Sequence, residues 1–211
     1  MKNNYCHIYL VRHGETDWNV KGLVQGHSDI PLNENGRWQA KELAKKLARI
    51  NFAAAFSSDL IRAKKTAEIV ALEKKITLKT IAALRERRFG RLEGKSHKEG
   101  ETAKELAFLW SKLAKLTDEE KKKYQLEDVE NDEELMARFI PALREIAIAY
   151  PGKNVLVVTH GGVMRAFLIH LGVGDEKTLP PGSIKNTSVF KIDSDGVEFW
   201  VRNIEEINKN Q

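Results

Sequence analysis

Three short, nearly continuous apolar runs punctuate this chain: CHIYLV at 6–11, AAAFS at 53–57 and NVLVVT at 154–159. Each is too short for a helix and is bounded by glycine, serine or asparagine, the pattern of strands buried on both faces. Between them the apolar period changes from continuous to three-and-four. Ala40, Leu43, Ala44, Leu47 and Ile50 form one stripe, with Asn33 placed to cap it, and Leu60, Ala63, Ala67 and Val70 form a second after SSD. Strand, helix, strand, helix predicts an α/β fold.

From Gly94 to Asp132 the composition turns to lysine and glutamate around one amphipathic stripe, Leu106, Leu109, Leu113 and Leu116, followed by a capping-box spelling, TDEE, at 117–120. The segment 95–131 reads as a helical flap inserted into the fold. A further helix carries Leu135, Phe139, Leu143 and Ile146, with Pro141 expected to kink it or shift its start. TSVFKI and VEFWV, joined by DSDG, predict a closing antiparallel hairpin. LKTIAAL before Glu86 reads as one more strand-like segment.

Length and composition narrow the class. At 211 residues, 42% hydrophobic, the chain suits one globular domain over 1–211. No apolar run approaches the roughly 20 residues of a membrane span, and the first strand begins too early for an export signal. Cys6 is the only cysteine, which excludes an internal disulfide or a thiolate zinc cluster and suits a reducing cytoplasm. The net charge of +5 raises nucleic acid as a partner, but the lysines interleave with glutamates on helices, as on a solvated face.

The arginines and histidines behave differently. CHIYLV runs into Arg12-His13-Gly14, NVLVVT into His160-Gly161-Gly162, and the segment after AAAFS delivers Arg62 from the start of a helix. Carboxyl ends of parallel strands share one sheet edge, where ligands of open α/β sheets bind, so these groups should converge. Two guanidinium and two imidazole groups without matching carboxylates would repel one another around nothing; around a phosphate they are complementary, helped by glycine amides and helix starts. A neutral imidazole can then take the phosphoryl group, with the arginines lowering its pKa and stabilising transferred charge. Glu86, in LRERRFGRLEG, is the candidate general acid, with Glu15 and Glu93 as rivals.

In order and spacing, LVRHGETDWN, QGHSDIPLNENG, SSDLIRAKKTA, LRERRFGRLEG and VTHGGVMRA resemble the histidine phosphatase superfamily, also called phosphoglycerate mutase-like, over about residues 6–202. The resemblance implies a three-layer α/β/α sandwich with a mixed, mainly parallel six-stranded sheet, and metal-independent hydrolysis of phosphomonoesters through phosphohistidine, with no cofactor. It makes His13 the nucleophile, Arg12, Arg62 and His160 the phosphoryl-binding groups, Glu86 the proton donor, Asn19 and Gly161 pocket contacts, and Gln25 and Gly26 a substrate-facing loop. The alternative within the family is a 2,3-bisphosphoglycerate-dependent phosphoglycerate mutase. Mutases usually have asparagine where Gly162 stands, tyrosine in place of Phe89 and a pair of arginines in the insert, whereas residues 95–137 here contain none. Outside the enzyme class, the alternative is a non-catalytic phospho-ligand or nucleic-acid binding protein.

The expected partner is a small phosphorylated metabolite, with no nucleic acid or membrane, and a monomer or homodimer as the assembly. Arg85, Arg87, Arg88 and Arg91 raise the further expectation of a second anionic group on the substrate, against a solvated surface with ion pairs. His7, His27, His97 and His170 lack ligand spacing and read as surface or satisfied histidines. Trp18, Trp38, Trp110 and Trp200 read as core or interface packing, and NTS at 186–188 as the start of a strand.

Overall fold

The computed structural model describes residues 4–207 except 114, 118, 119, 121, 122 and 125, and leaves the side chains of 109, 110, 113 and 205–207 outside the description. Leu109, Leu113 and Trp110 of the sequence expectations therefore lie outside it.

In chain order the elements are β1 (Cys6–Arg12), α1 (Asp17–Lys21), α2 (Glu34–Lys46), β2 (Phe52–Ser57), α3 (Ile61–Lys74), β3 (Leu78–Thr80), α4 (Gly100–Leu113), α5 (Asp132–Ala149), β4 (Asn154–Thr159), α6 (Gly161–His170), β5 (Ile184–Ser194) and β6 (Phe199–Ile207). Two 3₁₀ turns, Ala82–Leu84 and Gly90–Leu92, lie between β3 and α4. The sheet order is β3-β2-β4-β1-β5-β6. β3, β2, β4 and β1 run parallel, and β5 and β6 are added by antiparallel pairing.

Alternation along the central strands divides the core. Ile8, Leu10, Val155 and Val157 point toward α5 and α6, where Leu135, Phe139, Leu143 and Phe167 are fully buried. Val11, Leu156 and Val158 point the other way, against Leu43 and Ala44 of α2 and Ala63, Ala67 and Val70 of α3. At about 1.5–3 kcal/mol per buried large apolar side chain, these two layers hold the strand ends in one plane. The three-layer α/β/α architecture follows.

Several element boundaries differ from those the apolar pattern predicts. Asn33 caps α2 by accepting from the Gly36 amide, but the helix ends at Lys46, and Ile50 packs from the loop beyond it. LKTIAAL keeps strand form only over Leu78–Thr80 and then tightens into a 3₁₀ turn that buries Leu84; as an edge strand, β3 pairs with β2 alone. Pro141 does not shift the start of α5, which begins at Asp132 under an Asn131–Glu134 capping box. The hairpin turn falls two residues later than DSDG suggests, because the Asp195 carboxylate accepts from the amides of Val197 and Glu198, each at 2.8 Å. Trp38 is 60% exposed and so is not core, while Trp200 stacks on Tyr5.

The insert is pinned to the body. Leu23 bridges to Ser96, and Val24, Leu92, Leu106 and Val129 form a small core of their own with Phe89 and Leu126 packed against it. Among the described residues no helix is long and apolar enough to cross a membrane.

Candidate active site

The carboxyl ends of β1 and β4 are neighbours in register, Arg12 opposite Thr159, so His13 and His160 leave adjacent strands side by side. Their ring centroids are 5.1 Å apart. Arg62, in the first turn of α3, reaches the same place and is fully buried. Arg12, His13, Asn19, Gln25, Gly26, Arg62, Glu86 and Gly161 all line one cavity of about 540 Å³, and His160, beside His13, is fully buried. The convergence expected from three strand ends is therefore present.

Local backbone geometry makes the junction after β1 possible. The chain at Gly14 passes so close to the N-terminus of α2 that a Cβ there would lie 2.5 Å from the Gly36 carbonyl oxygen. The Gly14 amide donates to Thr66 Oγ1 at 3.0 Å. The His13 carbonyl is gripped from β5, by Asn186 Nδ2 at 2.9 Å and the Thr187 amide at 3.4 Å. Thr187 holds a φ of 57°, a left-handed conformation that costs a β-branched residue about 1–3 kcal/mol and brings its amide onto that carbonyl. The NTS motif is thus part of the scaffold under His13, a role its spelling alone did not reveal.

His13 Nδ1 lies 2.6 Å from the Gly14 carbonyl, which can only accept. Nδ1 therefore carries the proton, and Nε2 keeps its lone pair. Burial holds the His13 pKa well below the ordinary imidazole value, with Arg62 and then Arg12 adding to the effect against the Gly14 hydrogen bond. The arginines, expected from the sequence to depress this pKa, are secondary to desolvation. His160 is depressed in the same way by burial, Arg62, His13 and Arg12.

The guanidinium groups are anchored by backbone. Arg62 donates to the carbonyls of Ser28 and Gly26, each at 2.7 Å, and Arg12 to that of Ile184. Burial lowers the Arg62 pKa to about 10, which leaves it cationic at neutral pH. The Nε atoms of Arg12 and Arg62 and both ring nitrogens of His160 are buried without a hydrogen-bond partner. Buried polar atoms left without a partner are costly, and two guanidinium groups gathered beside them form a cluster that suits an anion.

Glu86 lies across the cavity at the N-terminus of α6. Its carboxylate accepts from the amides of Gly162 at 2.8 Å, Val163 at 2.9 Å and Arg87 at 2.8 Å. The rivals are committed elsewhere. Glu15 accepts from Asn33 and Asn35, and Glu93 accepts from His27, Ser28 and Phe89, tying down the loop that presents Gly26. Asn19 accepts from Thr16 and lies 3.5 Å from Asn186 Nδ2, and Gln25 Oε1 accepts from Thr16 Oγ1.

The expectation of a second anion site finds little to build on. Arg85 is bidentate on Asp59, Arg91 pairs with Glu105, and Arg88 donates to the Asp128 carbonyl. Arg87 lines the cavity but is paired with Asp132. The insert supplies an apolar roof through Leu106, Ala107, Leu126 and Val129, beside Phe89. His7 is paired with Asp193, and His27 with the Glu86 carbonyl. Among the described residues no group of three or more His, Cys, Asp or Glu is placed to hold a metal ion.

Comparison with known proteins agrees with this architecture. The chain is 33% identical over 171 residues to the uncharacterized phosphatase PhoE of Bacillus subtilis, covering 80% of this chain and 78% of that protein. It is 35% identical over 198 residues to a metal-independent phosphoserine phosphatase of Arabidopsis thaliana, covering 90% and 76%. The solved structure of Bacillus stearothermophilus YhfR superposes with a TM-score of 0.81 at 34% identity, covering 96% of this chain and 97% of that one. The profile of the histidine phosphatase superfamily (branch 1) matches residues 8–207, and the chain belongs to that family.

Proposed function

We propose that this histidine phosphatase hydrolyses phosphomonoesters of small metabolites by way of a phosphohistidine on His13. Nε2 of neutral His13 attacks phosphorus while the bond to the leaving oxygen breaks, and Glu86 gives that oxygen its proton. Water then attacks the phosphohistidine, its proton passes to the Glu86 carboxylate, and the P–N bond electrons return to Nε2 as inorganic phosphate leaves. Arg12, Arg62, His160 and the Gly161 amide hold the phosphoryl oxygens and stabilise their charge, Asn19 orients that end of the pocket, and Gln25 and Gly26 border the leaving group.

One observation carries the reading: His13 is fixed in the tautomer that frees Nε2, on a ring that lines the cavity with Arg12 and Arg62 and lies 5.1 Å from the buried His160 ring. Hydrolysis is favoured over mutase chemistry because Leu106, Ala107, Leu126 and Val129 give the insert's side of the cavity an apolar stretch and Arg85, Arg87 and Arg91 are already paired with Asp59, Asp132 and Glu105. The leaving alcohol is accordingly one without a second strong anion. In this reading the chain acts as a single domain in the cytoplasm, as monomer or homodimer, without metal, cofactor or nucleic-acid partner, and the 95–131 insert roofs the pocket.

The test is a screen of phosphorylated metabolites in chelator, with and without 2,3-bisphosphoglycerate, alongside labelling of the enzyme. The expected result is phosphate release independent of the bisphosphate, and an acid-labile, alkali-stable phosphoprotein lost in His13→Ala together with at least about 10³-fold of the activity. Isomerisation that requires the bisphosphate would establish the mutase instead. Steeply salt-dependent binding to DNA or RNA without hydrolysis would end the enzyme reading.

A further inference from the structure

The side chain of Glu86 is held by amides, but its backbone is held by a residue that the helical pattern of α5 gave no reason to notice. Arg138 Nη2 donates to the Glu86 carbonyl at 2.7 Å, and Nη1 donates to those of Ala83 and Arg85, each at 2.8 Å. Nε and Nη2 close on the two oxygens of Glu130 at 2.6 and 2.8 Å. Glu130 is 8% exposed and belongs to the end of the insert, where its carboxylate also accepts from the Arg88 amide and its carbonyl from Arg87.

Three carbonyls of segment 83–86, within and just beyond the 3₁₀ turn Ala82–Leu84, thus converge on one point. A guanidinium fork is the group that can answer all three while its charge is balanced by Glu130. His27 Nε2, 2.8 Å from the Glu86 carbonyl, adds a second hold on the same peptide. We infer that Arg138, anchored by Glu130, is a positioning residue that fixes Glu86 at the distance proton donation to the leaving oxygen requires. It touches no substrate; it acts through the backbone of the acid. Because Glu130 ends the insert, the same fork joins the placement of the roof to that of the acid. A displacement of about 1 Å in such a group can cost about 10²-fold in rate.

The inference rests on Glu86 being the general acid, so the experiment separates the two. Single-turnover release of the leaving group is measured for glycerol 3-phosphate, whose alkoxide needs a proton, and for p-nitrophenyl phosphate, whose phenolate does not. Glu86→Gln is expected to slow glycerol release by about 10² to 10⁴ and the aryl ester far less. Arg138→Lys, which keeps the charge but not the fork, should slow glycerol release by about 10- to 100-fold with the aryl ester within about 3-fold. In the Glu86→Gln background, Arg138→Lys should add less than about 3-fold, since both changes remove the same proton transfer. Glu130→Gln should show the same selectivity to a smaller degree, and serves if Arg138→Lys does not fold.

Equal loss on both esters, or fully multiplicative loss in the double variant, would make Arg138 merely structural. Selectivity in Glu86→Gln with none in Arg138→Lys and Glu130→Gln removes the Arg138 inference alone. No selectivity in Glu86→Gln removes the acid assignment and this inference with it.

Discussion

Glu86 sits against Gly162 so closely that a Cβ at position 162 would lie 2.6 Å from Glu86 Oε1, while the Gly162 amide donates to Oε2 at 2.8 Å. The second glycine of THGG is therefore the floor on which the carboxylate rests.

A Cβ at 162 would push that carboxylate from its present place at the helix N-terminus. Gly162→Ala should lower kcat/KM on alkyl phosphates by about 10-fold or more through loss of a placed proton donor. Stability should fall by about 1 kcal/mol as α6 loses a charged partner for its first free amides. Steady-state kinetics and thermal denaturation of the variant measure both.

Acid should destabilise the protein before its carboxylates titrate. In the unfolded chain His13 and His160 take up protons below about pH 6.5, whereas in the folded chain burial and two arginines hold both pKa values well below that. The unfolded state then binds more protons, so stability is complete above about pH 6.5 and declines as pH falls toward the depressed values, by up to about 1.4 kcal/mol per pH unit for each imidazole. Asp59, Glu93, Glu130 and Asp193, whose folded pKa values are also lowered, contribute above the ordinary carboxylate range and lose their share only at lower pH. Tm recorded across about pH 5 to 7 should slope downward toward acid, and His160→Gln should flatten the slope.

Arg87 and Arg88 already have protein partners in Asp132, Glu130 and Asp128. Arg87→Ala and Arg88→Ala should leave the preference between monophosphate and bisphosphate substrates within about 3-fold of the parent, the effect expected of charges already engaged by protein partners. A large fall confined to bisphosphates would reinstate the second anion site.

Gly14 is pressed against the Gly36 carbonyl by the path of the chain from β1 into α1, and neither partner in that contact is a flexible side chain. Gly14→Ala should therefore lower stability by about 1–3 kcal/mol and activity with it, because the displaced backbone carries His13. Denaturant titration together with kinetics provides the measurement.

Much of this protein was legible before any coordinate. β4 occupies 154–159 as its apolar run indicated, Asn33 caps α2, Arg12, His13 and Arg62 line one cavity, and the His160 ring lies 5.1 Å from that of His13. These features depend on period, on capping chemistry and on the rule that parallel strands end at one edge, all of which are written in neighbouring residues.

Only tertiary structure decided where polar groups found their partners. Arg85, Arg87, Arg88 and Arg91 look alike in one short stretch, yet their partners come from β2–α3, from the insert and from the start of α5. Arg138 reads as an ordinary position on an amphipathic helix, and Asn186 as a strand start, until chain closure over 52 residues for one and 173 for the other brings them to Glu86 and His13. Periodicity records which face of an element avoids water. It does not record which carbonyl a guanidinium or an amide will meet when distant elements pack, because that pairing is a property of the closed fold.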